Sequence, residues 1–173
     1  MKYFFDTEFI EDGKTIDLIS IGIVAEDGRE LYLLNYDCDH SRASDWVQAN
    51  VLNYLPEKIE ANYGYANEIF DKYKDKIALQ QSVSGFCDPV KYGNPEFWAA
   101  WAAYDWVAFC QLFGRMIDLP DGYPYYCRDV IQWTDQLGLA REVSPPSTPN
   151  EHHALADAHW VKRAYEMVSI ITN

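Results

Sequence analysis

The chain has 173 residues, 49% of them hydrophobic and 16% aromatic, which suits one folded domain over 1–173 with a sizeable core and excludes a disordered chain. Its formal net charge of −13 argues against a broad basic face laid along a nucleic-acid duplex, yet leaves room for an acidic pocket that meets phosphate through bound cations. No apolar run is long enough to span a membrane, no signal-like segment opens the chain, and Cys38, Cys87, Cys110 and Cys127 form no CxxC pair, so the expectation is a cytoplasmic protein with reduced thiols.

In chain order, residues 2–6 (KYFFD) predict a short buried strand, followed by a turn at 11–14. Residues 15–25 (TIDLISIGIVA) are rich in β-branched residues and predict a second strand. Asp27-Gly28 signals a hairpin, and 30–36 predict a third strand, completing a three-stranded antiparallel meander. Ser44 caps a predicted helix that Pro56 ends. Residues 65–79 carry Ala66, Ile69, Phe70, Tyr73 and Ile77 at helical spacing. Gly85, Pro89, Gly93 and Pro95 make 80–95 read as mostly loop.

Residues 96–104 (EFWAAWAAY) are apolar enough for a central buried strand. A helix over 105–117 turns Trp106, Phe109, Cys110 and Phe113 inward, and a strand near 125–128 and a short helix at 129–138 follow. Three prolines stiffen 143–150. Asn150 is a candidate cap for a last helix reaching about Ile171, with Ala154, Ala158, Val161, Tyr165 and Val168 as its apolar stripe. A meander, then alternating helices and strands, then a long helix describes an α/β sandwich around a mixed sheet.

Asp6 and Glu8 stand two apart in a strand and therefore share a face. Close carboxylates raise one another's pKa, a penalty that a hard divalent cation removes. Taken alone, the pair is better explained by a strand ending in an exposed polar turn, because short acidic pairs are common. Asp105 follows the apolar run 97–104, where an acid serves either as a helix cap or at a ligand crevice beyond a strand end. Asp157 borders the apolar stripe of the last helix, and an acid there is costly to bury without a partner. His152 sits where the stiff loop meets that helix, and its near-neutral pKa suits a general base. His153 is its rival, since His153 and Asp157 also make an ordinary i, i+4 helix pair.

Asp-x-Glu in a first strand, Asp after a central strand and His-x-x-x-x-Asp opening a late helix resembles the DEDDh branch of the DnaQ-like 3′–5′ exonucleases. Closer still, FFDTEF and EHHALADAHW look like the polyadenylate-specific exoribonuclease AS group, small stand-alone RNA exonucleases that form homodimers. The asparagine common before the second-motif acid is absent here, where Ala102 and Ala103 stand.

The resemblance implies an RNase H-like fold and hydrolysis from an RNA 3′ end, single-stranded or overhanging, to nucleoside 5′-monophosphates. It implies that Asp6, Glu8, Asp105 and Asp157 bind two Mg²⁺ or Mn²⁺ ions roughly 4 Å apart, with His152 taking the proton of the attacking water. Phe9, Tyr104 and Trp106 flank these acids as candidate base contacts, although Phe9 alternates away from Asp6 and Glu8 unless the strand breaks there. Arg128 and Lys91 are candidate phosphate contacts. An exodeoxyribonuclease of the same fold, a catalytically idle nucleic-acid-binding module and a plain acidic cation-binding protein are the competing readings.

Overall fold

The computed structural model describes residues 1–56, 72–139 and 152–172. Among these residues, six strands form one mixed sheet in the order β4-β3-β2-β1-β5-β6. β1 (Lys2–Glu11), β2 (Ile16–Ala25) and β3 (Glu30–Asn35) pair antiparallel in succession. β4 (Tyr73–Lys74) joins β3 in parallel, and β5 (Glu96–Ala99) and β6 (Arg128–Asp129) extend the sheet in parallel from β1.

The two faces of β1 build two packing layers. Tyr3 and Phe5 enter a core with Ile21, Ile23 and Phe97, covered by α2 (Lys76–Phe86) through Leu79 and Val83, and by α4 (Ala103–Gln111) through Ala108 and Phe109. Phe4 points the other way, joining Trp98, Val130 of α5 (Val130–Gln136), and Val161 and Ala164 of α6 (Ala154–Thr172). Period-two alternation carries that second face from Phe4 on to Asp6 and Glu8. The acids therefore continue an apolar face at the point where α6 begins.

β1 outruns the predicted strand because Ile10, at 1% exposure, is still buried against Ile19 and Val51. α1 (Asp45–Asn50) is capped by Ser44 as expected, then tightens into a 3₁₀ turn at Leu52–Tyr54. The predicted helix over 65–79 falls partly outside the described residues. Tyr73 lies in a strand instead, and Ile77 is exposed on α2, which Asp75 caps.

The predicted loop at 80–95 is largely helical. Gly85 is accommodated inside α2, and Pro89 opens α3 (Pro89–Tyr92) at a position where its missing N–H is not needed. β5 stops at Ala99, so Tyr104 and Asp105 sit in the first turn of α4 rather than at a strand end. α4 itself ends at Gln111, before Gly114 at φ 112°. The loop at 143–150 and Asn150 lie outside the described residues.

Candidate active site

Three chain segments bring the acids together. β1 supplies Asp6 and Glu8, and the first turn of α6 supplies Asp157. Their carboxylate oxygens lie within 4.8 Å of one another. Asp105 approaches from the open edge of β1. β5 pairs with β1 only as far as Phe4 and Trp98, so the Thr7 N–H beyond it has no ladder partner on that side. Asp105 Oδ1 accepts that N–H at 3.0 Å and the buried Thr7 hydroxyl at 2.6 Å. Asp157 Oδ2 accepts the backbone N–H of His152 at 2.9 Å, which ties the loop end to the same carboxylate cluster.

Gly22 is the reason α6 can begin here. It pairs with Asp6 across β1 and β2, and a Cβ at this position would stand 2.3 Å from Leu155 N and 2.4 Å from Ala154 C and O. The first turn of α6 thus rests directly on the backbone of β2, and Asp157 reaches the sheet face that bears Asp6 and Glu8.

The electrostatics are those of crowded acids. Burial, then the charges of Asp105, Glu8 and Asp157, hold the Asp6 carboxyl well above the usual carboxylate range. Burial, then Asp157 and Asp105, push Glu8 up to about 8. Burial also raises Asp105, against the opposing hydrogen bonds from Thr7. The four acids line one cavity of about 840 Å³, and no lysine or arginine lines it among the described residues. Such a donor set, hard oxygens without a protein cation, fits divalent metal ions.

His152 has a left-handed backbone, φ 64°, which sends the two neighbouring histidines apart. The His152 ring lines the cavity and meets Trp46 edge-on, with centroids 4.8 Å apart. His153 instead stacks on Tyr32 at 4.3 Å, where burial lowers its pKa.

The pairing of β1 with β2 shifts register between Glu8 and Phe9: Glu8 faces Ser20, Phe9 faces Leu18, and Ile19 is the extra residue. The extra residue belongs to β2, so β1 keeps its alternation and Phe9, opposite Leu18, stays on the Phe5 side; there it lies nearly parallel to Tyr104, at 6.0 Å and 13°, on the cavity wall. Trp106 corrects the expectation of a base contact. One residue past Asp105 it points about 100° around the helix, and it packs against Phe5, Phe97 and Phe109 beneath the sheet. Arg128 pairs with Glu96 at 3.6 Å, and Lys91 lies over Tyr92; neither lines the cavity.

The family model of the 3′–5′ exoribonuclease Rv2179c-like domain matches residues 1–169, a span that includes every acid of the cavity and both histidines. The chain belongs to the Rv2179c-like 3′–5′ exoribonuclease domain family. Two curated relatives bear this out. They are 3′-5′ exoribonuclease MT2234.1 of Mycobacterium tuberculosis (strain CDC 1551 / Oshkosh) and 3′-5′ exoribonuclease Rv2179c of Mycobacterium tuberculosis (strain ATCC 25618 / H37Rv). Each is 38% identical over 169 residues, covering 98% of this chain and 94% of the relative.

Three tryptophans of this Rv2179c-like domain line the cavity without having been expected there: Trp46, Trp101 and Trp160. Trp160 carried a signal, since it stands one helical turn after Asp157 on the same face. Trp101 carried a weaker one, four residues before Asp105. Trp46 carried none, because only the tertiary fold brings α1 to the cavity.

Proposed function

We propose that the chain is a metal-dependent 3′–5′ exoribonuclease of the DEDDh type, one RNase H-like domain that releases nucleoside 5′-monophosphates from RNA 3′ ends. One observation carries this reading: Asp6, Glu8, Asp105, Asp157 and His152, from three separate segments, face a single cavity in a member of this family. The RNA preference is supported by the activity named for the two relatives.

Asp6, Glu8, Asp105 and Asp157 would hold two Mg²⁺ or Mn²⁺ ions. Bound there, the ions would lower the pKa of the attacking water and neutralise charge developing on phosphorus and the leaving 3′ oxygen. The protein's own part is positional. Thr7 orients Asp105 through two hydrogen bonds, and Asp157 anchors the His152 backbone. The His152 imidazole takes the water's proton as general base. Phe9 and Tyr104 offer ring faces to the strand's bases. The likeness to the polyadenylate-specific exoribonuclease AS group supports a homodimer, which light scattering coupled to gel filtration tests, and the unpaired cysteine pattern supports a cytoplasmic setting.

The deciding experiment digests defined RNA and DNA oligonucleotides with Mg²⁺, Mn²⁺ or EDTA and identifies the products. Stepwise 5′-monophosphates from RNA, abolished by EDTA, are expected. Internal cuts, products ending in a 3′-phosphate, or full activity in EDTA overturn the proposal. Faster digestion of DNA would select the exodeoxyribonuclease reading.

A further inference from the structure

Among the described residues, two that are not glycine adopt a left-handed backbone, Trp101 at φ 50° and His152 at φ 64°, and both line the same cavity. A bulky side chain disfavours that conformation, which persists only where its surroundings impose it. The surroundings of Trp101 do so. Asp129 Oδ2 accepts the Ala102 N–H at 2.9 Å, while its Oδ1 accepts the N–H groups of Ile131 and Gln132 that open α5. The Ala103 N–H donates to Trp101 O at 2.8 Å. The turn between β5 and α4 is thereby held from β6 and by its own backbone.

These bonds do not bury the indole. Ala100 and Ala102 on either side are 8% and 5% exposed, but Trp101 is 70% exposed. Strain is thus spent on keeping the largest side chain of the turn out of the core. Trp160, one helical turn beyond Asp157, sets its ring nearly parallel to Trp101, at 17° with centroids 6.3 Å apart. The outcome is a flat aromatic surface beside four carboxylates, in a cavity with no lysine or arginine among the described residues to grip a phosphate chain. With the phosphate met through cations, what the cavity wall itself offers a strand is stacking on its bases, because every base has a π-face whatever its sequence.

Resting on the exoribonuclease reading, we infer that Trp101, backed by Trp160, is a stacking platform for a nucleobase of the RNA's 3′-terminal dinucleotide. It acts on affinity, separately from the Phe9–Tyr104 pair.

Steady-state hydrolysis of a short RNA tests this with wild type, Trp101→Gly and Trp101→Phe, on a normal oligonucleotide and on ones abasic at the terminal or penultimate position. Trp101→Gly should raise KM about 5- to 150-fold, the range for losing one stacked base, with the effect falling on KM rather than kcat. Trp101→Phe should recover most of it. Because glycine adopts φ 50° freely, Trp101→Gly should melt no lower than wild type, whereas a residue with a merely structural role would lower the melting temperature. Removing the stacked base should raise KM in wild type and add nothing in Trp101→Gly.

An unchanged KM in Trp101→Gly, or abasic and Trp101→Gly effects that multiply, overturns the platform. A wild type that releases no nucleotide from RNA rejects the exoribonuclease reading instead. Anisotropy of the labelled oligonucleotides with Ca²⁺ then still reads the platform, through the same loss of binding in Trp101→Gly and in the abasic strand. Equal binding by wild type and Trp101→Gly there overturns it as well.

Discussion

Gly22→Ala is the smallest change that should separate the two halves of the site. The added Cβ would stand 2.3 Å from Leu155 N, against an ordinary contact near 3.5 Å. The gap must therefore widen by about 1.2 Å. All three near atoms belong to backbone, so no side chain can swing aside; the start of α6 has to move off β2. That movement carries Asp157 and the anchored His152 away from Asp6 and Glu8. Overpacking of this kind costs about 1–3 kcal/mol, and a shift of about 1 Å in catalytic groups costs roughly 100-fold in rate. Thermal melts should show the first, and RNA hydrolysis at saturating Mg²⁺ the second. Gly85→Ala is the control, since nothing lies within 4 Å of its added Cβ. Sitting inside α2, it should stabilise by about 0.5–1 kcal/mol. If Gly22→Ala melts and cuts like wild type, the close approach of α6 to β2 does not position the site.

The remaining predictions follow from the electrostatics and from the two histidines. With EDTA present, the folded protein binds more protons than the unfolded chain between Glu8's ordinary value of 4.5 and its raised value of about 8. Glu8's contribution is therefore fully present below about pH 4.5 and is lost as pH rises through 8, so melting temperature should fall across that window. Glu8→Gln should flatten the fall and Mg²⁺ or Mn²⁺ should reverse it; a wild-type curve as flat as that of Glu8→Gln would reject the crowding. Thr7→Val keeps the shape but removes the 2.6 Å hydroxyl bond to Asp105, and should cost about 1.5–3 kcal/mol by chemical denaturation; a loss below about 0.5 kcal/mol would contradict that bond. His152→Ala should slow hydrolysis about 100- to 10,000-fold while metal binding, followed by calorimetry, persists. His153→Ala should retain far more activity, and the opposite ranking would exchange their roles.

Much of the site was legible because it obeys simple periods. Alternation along KYFFDTE puts Asp6 and Glu8 on one face, and the five-residue step from His152 to Asp157 spans the entry to a helix. What escaped depends on contacts between distant segments. Alternation does turn Phe9 away from Asp6 and Glu8, yet Tyr104 of the distant helix α4 meets it on the cavity wall. Gly22 reads as a flaw in an apolar strand until the backbone of Ala154 and Leu155 is laid on it. The helix α2 was hidden because Gly85 and Pro89 are breakers by composition, although the burial of Leu79 and Val83 outweighs one and the start of α3 makes use of the other. Which of two adjacent histidines enters the cavity depends on one backbone angle, and spacing does not encode it.

The sources of strain in this fold are not scattered. Among the described residues, both left-handed ones other than glycine, and the carboxylic acids pushed furthest above their ordinary range, adjoin one cavity. Each could be relieved by a single substitution: glycine at Trp101, asparagine at Asp6, glutamine at Glu8. A binding module without catalysis would gain stability from any of these and lose nothing chemical. Unfavourable features survive together where a ligand compensates them together. On the proposed reading a divalent cation would compensate the carboxylates, and a base stacked on the indole would compensate the turn that holds it outward. Apo stability and hydrolysis should therefore move in opposite directions in Asp6→Asn, which should melt higher in EDTA and cut nothing. A variant that melts lower in EDTA would mean that Asp6 holds the fold together, and the idle module would then be the better account of the chain.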